Sequence, residues 1–246
     1  MASSAQPPLD LTSRILGRER LIVAGGLALL VALSWWFLAS GAGMRPMPGH
    51  AMQPPFAALI LMWWLMMVAM MLPSSAPAVL LYGRVRRMRG SDAAISRTWV
   101  FLGGYLGVWL LFSIAAAGAQ ALLTEQSMAL DDPRAAAAVL IAAGLYQLSP
   151  FKAACLSKCQ SPAQFISRHW RPGVAGAVRL GLLHGAYCVG CCWMLMALLF
   201  VGGVMNFAWI AGLTLLVGLE RLAPRGEWIA RATGLALIAW GLFLLL

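Results

Sequence analysis

Seven stretches of the chain are apolar over lengths that would cross a bilayer as helix: residues 21–40, 56–82, 98–123, 135–155, 180–201, 205–222 and 229–246. About 30 Å of hydrocarbon takes roughly 17–25 residues of α-helix, so each stretch meets or approaches that length. The rest of the composition leaves no other home for them. The chain is 61% hydrophobic and 11% charged, whereas soluble domains carry about 25% charged residues. A soluble enzyme, a disordered chain and a secreted disulfide scaffold are excluded. The expected fold is all-α, a polytopic transmembrane bundle of about seven helices in a bacterial-type inner (plasma) membrane. Residues 1–20 are expected to form a cytoplasmic N-terminal tail, and residues 21–246 a single transmembrane domain.

A net charge of +10 raises the question of a nucleic-acid partner, which would need basic residues clustered on one solvated face. The distribution answers otherwise. With the N-terminus inside, every Lys and Arg except Arg45 and Arg134 falls in or beside an inner loop. That is the positive-inside bias of a membrane chain, and no nucleic acid is expected. The first stretch could also be read as a signal peptide, with Arg14, Arg18 and Arg20 ahead of it and small residues at Ala39–Ala42. Its apolar length exceeds the roughly 7–15 residues of a signal core, which favours an anchor.

The second stretch carries Pro73 and Pro77. Each removes a backbone donor and crowds the preceding turn, so a kink or an unwound segment is expected there, with Ser74 and Ser75 placed to satisfy freed carbonyls. Gly103 with Gly107, and Gly181 with Gly185, have the GxxxG spacing that lets helices approach closely.

All five cysteines lie in the second half: Cys155, Cys159, Cys188, Cys191 and Cys192. An odd number near the cytoplasmic side argues against a disulfide framework. If the fourth helix continues far enough, Cys155 and Cys159 share a face, beside Lys152 and Lys158. His184, Cys188, Cys191 and Cys192 fall at i, i+4, i+7 and i+8 of the fifth, on one stripe. Facing stripes would supply five sulfurs and an imidazole, a donor set that selects Cu(I), Zn or iron–sulfur clusters over hard cations. Glu220, beside Arg221 in the sixth stretch, is the one acidic residue away from loops and interfaces, and pairing with its neighbour or snorkelling would account for it.

Methionines form a second pattern. Met62, Met66 and Met70 recur at four-residue steps, Met67 and Met71 run parallel to them, and Met44, Met47, His50 and Met52 crowd the loop just before. Thioethers bind Cu(I), and weak successive sites are what passage requires; packing is the alternative for the stripe within the helix.

These segments resemble a known family. Met66–Pro73 (MMVAMMLP) with Ser74, Tyr146–Cys159 (YQLSPFKAACLSKC), His184–Met196 (HGAYCVGCCWMLM) and Gly203–Asn206 (GVMN) are similar to domain-of-unknown-function family 2182. Its members are described as predicted metal-binding integral membrane proteins. The similarity extends over roughly residues 55–225, and it implies a metal site at Cys155, Cys159, Cys188, Cys191 and Cys192.

The expectation is a bilayer protein binding a soft metal ion, Cu(I) ahead of Zn or Fe. The outer loop would capture the ion, the methionine ladder pass it on and the thiolates receive it, with a metal chaperone or a membrane-complex partner as the counterpart. One alternative is a membrane-embedded thiol–disulfide oxidoreductase using Cys188/Cys191 and Cys155/Cys159. Another is an accessory subunit whose closed metal site only holds helices together.

Overall fold

A computed structural model of the chain describes residues 9–41, 55–90, 93–123, 130 and 132–246. Among the described residues there are ten helices and no strand: α1 Leu9–Ser40, α2 Phe56–Met88, α3 Ala94–Leu123, α4 Pro133–Gln147, α5 Pro150–Gln160, α6 Pro162–His169, α7 Gly173–Ala197, α8 Leu199–Gly202, α9 Phe207–Leu222 and α10 Gly226–Phe243. The all-α bundle expected from the seven apolar stretches is what forms. Among the described residues, four segments are long and apolar enough to cross a membrane: Glu19–Ser40, Phe56–Met88, Ala94–Leu122 and Gly173–Gly202. The bent pair α4–α5 makes a fifth if the two are one span. At 16 residues, α9 is shorter than any of these four segments, about 24 Å at 1.5 Å per residue.

Prolines set most of the breaks. Pro133, Pro150 and Pro162 each open a helix, where the missing N–H costs nothing and the fixed φ suits the first turn. The Asp132 side chain accepts from the Arg134 N–H at 2.9 Å, and Ser149 Oγ accepts from the Lys152 N–H at 3.2 Å. Ser149–Pro150 therefore ends one helix and starts another, and the chain turns 63° between α4 and α5. This corrects the expectation of a fourth helix running over 135–155: Cys155 and Cys159 belong to a separate, tilted helix.

Pro73 and Pro77 behave differently. They lie inside α2, which stays one continuous helix over Phe56–Met88, so the unwound segment does not form. Ser74 and Ser75 both turn to the carbonyl of Met71, each at 3.0 Å.

The core is built on α2, α3 and α7, with α1 against α2, α4 against α10, and α5 lodged between α7 and α9. Glycine permits the α3–α7 contact. A Cβ added at Gly181 would lie 2.0 Å from the Phe101 carbonyl oxygen, and one at Gly104 would lie 2.7 Å from that of Val178. Of the two GxxxG pairs, Gly181 and Gly185 form this seam, whereas Gly103 and Gly107 have open space where a Cβ would stand. On α3, the glycine that meets α7 is Gly104.

Charged side chains also enter the interior. Lys152 and Arg221, counted by sequence among the charges of the inner loops, are 1% and 5% exposed, and Glu220 is 2% exposed. Glu220 pairs with Lys152 across helices, Nζ to Oε2 at 2.5 Å, and accepts from Gln147 Nε2 at 2.7 Å. Gln147 Oε1 accepts in turn from Lys152 Nζ, so the network closes on itself and ties α4, α5 and α9 together. The expected pairing of Glu220 with its neighbour Arg221, or snorkelling of either, is therefore replaced by two separate buried contacts.

Candidate metal site

Cys188, Cys191 and Cys192 project from the middle of α7, and all three are buried. An α-helix places residues i, i+3 and i+4 on one face, so the spacing alone brings these sulfurs toward the same neighbours. Those neighbours are α2, α3, α5 and α9. From α5, Cys159 Sγ stands 4.0 Å from Cys191 Sγ. From α2, Met71 Sδ stands 3.8 Å from Cys192 Sγ. From α3, the Tyr105 hydroxyl lies 3.0 Å from Cys188 Sγ and 2.7 Å from Ser75 Oγ.

At the centre is Arg221 of α9. Its Nη2 lies 2.6 Å from Cys188 Sγ, 3.1 Å from Cys191 Sγ and 3.7 Å from Cys192 Sγ, and it also donates to the Cys188 carbonyl at 3.1 Å. Nη1 donates to Ser74 Oγ at 3.1 Å. The Cys191 and Cys192 thiols reach the same Cys188 carbonyl, at 3.2 and 2.9 Å.

Not every sulfur joins this group. Cys155 packs against Gly190, where its Sγ would be 3.0 Å from an added Cβ; the Tyr146 hydroxyl donates to the Gly190 carbonyl. Cys159 is half-buried, whereas the other four cysteines are buried. Lys152, expected beside the thiols of its own helix, is committed to Glu220 and Gln147.

His184 is one turn before Cys188, yet its ring sits among Phe165, Tyr105 and Phe101, with centroids 5.5, 5.6 and 6.0 Å away. The ladder residues Met62, Met66, Met67, Met70 and Met71 are all buried in the core, and Met71 is the one placed against an α7 sulfur. Met44, Met47, His50 and Met52, proposed from the sequence as an outer capture loop, lie outside the described residues.

Among the described residues, no group of three or more His, Cys, Asp or Glu is arranged to hold one metal ion. The arrangement supplies pairs instead. Metal–sulfur bonds of about 2.3 Å let one ion bridge sulfurs up to about 4.6 Å apart, a span that covers both Cys159–Cys191 and Cys192–Met71.

Arg221, Ser74 and Tyr105 were not singled out as site residues from sequence. Arg221 had a signal to give. Successive helix residues point about 100° apart, so Glu220 facing α4 and α5 sends Arg221 toward α2 and α7.

The family model described as PpoB2, copper chaperone, matches residues 60–244. That match supports a copper-related family and does not carry the 2182 designation suggested by the motifs. No curated protein and no solved structure matches the chain. With most of its length covered by the match, the chain belongs to the PpoB2 copper chaperone family.

Proposed function

We propose that the protein is a membrane-embedded copper-handling protein that holds Cu(I) between buried sulfurs of α2, α5 and α7. The observation that carries this reading is the convergence of Cys159, Cys191, Cys192 and Met71 from three helices into pairs 4.0 and 3.8 Å apart. Soft thiolates and thioethers select Cu(I), an ion content with two or three ligands. A structural zinc site takes four, and a four-ligand arrangement is not found among the described residues.

Placement in a bilayer is supported by the four long apolar helices among the described residues. With Phe56, Gly202 and Phe207 at the outer face, Met71, Cys188 and Arg221 each lie roughly 21–23 Å along their helices at 1.5 Å per residue. That is the inner third of a hydrocarbon core of about 30 Å, on the side where the basic loops gather. Met71 is then the junction at which the α2 ladder meets the cysteine stripe. Cys159, the more exposed sulfur, is the ligand from which a cytoplasmic metal chaperone would take the ion or deliver it.

The test is copper stoichiometry of the full chain, purified in detergent under reducing conditions and loaded with Cu(I). Wild type retains copper through desalting, and the Cys159→Ser/Cys191→Ser double variant loses it. Unchanged retention in that variant would sink the reading.

A second reading has one observation in its favour. The Cys159–Cys191 thiols, rather than the expected Cys188/Cys191 and Cys155/Cys159 pairs, come within 4.0 Å across two helices, close enough to exchange as a disulfide. Thiol trapping separates the readings: alkylation that follows redox poise in metal-free protein favours exchange, and protection by Cu(I) favours ligation.

A further inference from the structure

We infer that Arg221 belongs to the copper site itself, as the fixed counter-charge that makes a Cu(I)–dithiolate complex electrically neutral and so limits the thiolates to two. This rests on the copper reading above and adds the electrostatics of the loaded state.

Among the described residues the buried charges are Lys152, Glu220 and Arg221 around the sulfurs, and Arg86, which lies near the end of α2 against Trp170. Lys152 and Glu220 cancel each other at 2.5 Å. Arg221 is 5% exposed, and among the described residues no carboxylate pairs with it. What surrounds its guanidinium is sulfur, three atoms within 3.7 Å of Nη2, together with one hydroxyl and one carbonyl. A guanidinium does not lose its proton in proteins, so this positive charge is permanent. A buried charge without a partner is costly, and the group in place to balance it is the sulfur set.

Loading then has a definite charge balance. Cu(I) brings one positive charge and two thiolates bring two negative charges, so the complex carries one negative charge. Arg221, in contact with Cys191 at 3.1 Å, brings the total to zero. A third thiolate would leave a net negative charge. Exchange of one thiolate for a thioether would leave a net positive charge, and so would a divalent ion between two thiolates. The guanidinium can keep N–H···S hydrogen bonds to coordinated sulfurs, and such bonds are stronger for being charge-assisted. The same charge therefore favours a monovalent ion at a two-thiolate site.

The experiment is a double-mutant cycle on the full chain in detergent, with Cu(I) affinity read by competition against bathocuproine disulfonate. Arg221→Met is expected to weaken Cu(I) binding on the order of 1,000-fold, the scale of one charge contact at about 4 Å and an effective dielectric near 20. Arg221→Lys, which keeps the charge but not the fork of donors, is expected to lose less affinity than Arg221→Met. The decisive arm is Cys159→Met. It removes one negative charge from the ligand set, so it costs affinity in wild type and costs less in the Arg221→Met background, where neutrality returns.

Strictly additive losses, or an Arg221→Met protein that binds Cu(I) like wild type while Cys159→Ser/Cys191→Ser does not, would overturn the role of Arg221 and leave the copper reading standing. A wild-type protein that holds no Cu(I) would overturn both. Should Arg221→Met fail to fold, wild type carries the test: Cu(I) is expected to protect two thiols from alkylation, and protection of three would contradict the balance.

Discussion

Replacing Lys152 by methionine removes one half of a buried ion pair and strands the other. The Glu220 carboxylate would keep only the Gln147 amide at 2.7 Å, in a setting where its residue is 2% exposed. Breaking a buried pair from one side costs about 3–5 kcal/mol, because a charge is left without compensation. At about 1.4 kcal/mol per tenfold, that shifts the folding equilibrium by roughly 100- to 4,000-fold. Glu220→Gln should cost a similar amount by stranding the ammonium. Lys152→Met/Glu220→Gln removes both charges and should be less destabilised than either single variant, since neutral replacement of a buried pair is often tolerated.

The assay is unfolding in mixed micelles of rising SDS mole fraction, followed by the fluorescence of the 11 tryptophans. Single-variant losses below about 1 kcal/mol, the range of an exposed pair, together with additive behaviour in the double variant, would refute the picture of a desolvated network. Copper affinity should fall with stability in the single variants, because Lys152 and Glu220 fix α5 and α9, the helices that present Cys159 and Arg221.

Three further outcomes are expected. Gly181→Ala should cost about 1–3 kcal/mol in the same unfolding assay by overpacking the α3–α7 seam, whereas Gly103→Ala, with open space around it, should stay within about 0.5 kcal/mol. Met71→Leu keeps the volume and should change stability by less than about 1.5 kcal/mol; chelator competition should nevertheless show weaker Cu(I) binding, because a neutral sulfur that can join two thiolates without changing their charge balance is gone. His184→Phe should leave copper stoichiometry unchanged, since the ring lies among aromatic side chains; loss of copper would instead make His184 a ligand.

The helical class was legible because continuous apolar stretches leave few alternatives, and the α7 stripe was legible because i, i+4, i+7 and i+8 is a geometric statement. The break at Ser149–Pro150 was signalled as well, by a capping residue followed by proline at the first helical position. Apolar length alone does not show the break, because the stretch stays apolar on both sides of it. The destinations of the buried charges could not be read the same way. Glu220 and Arg221 are neighbours in sequence and suggest a local pair, but adjacent helix positions do not face each other. Which helices receive Lys152 and Arg221 is decided by tertiary packing. The GxxxG spacing was similarly half informative: Gly181 and Gly185 meet α3, while the matching glycine on α3 is Gly104, outside the motif. Spacing names a face, and the bundle decides which face is used.

The central claim is that sulfur from different helices holds Cu(I), and copper K-edge X-ray absorption on the Cu(I)-loaded full chain in lipid nanodiscs tests it most directly. Coordination by sulfur alone is expected, and it is lost in the Cys159→Ser/Cys191→Ser variant. A shell containing nitrogen or oxygen, or a spectrum unchanged in that variant, would contradict it.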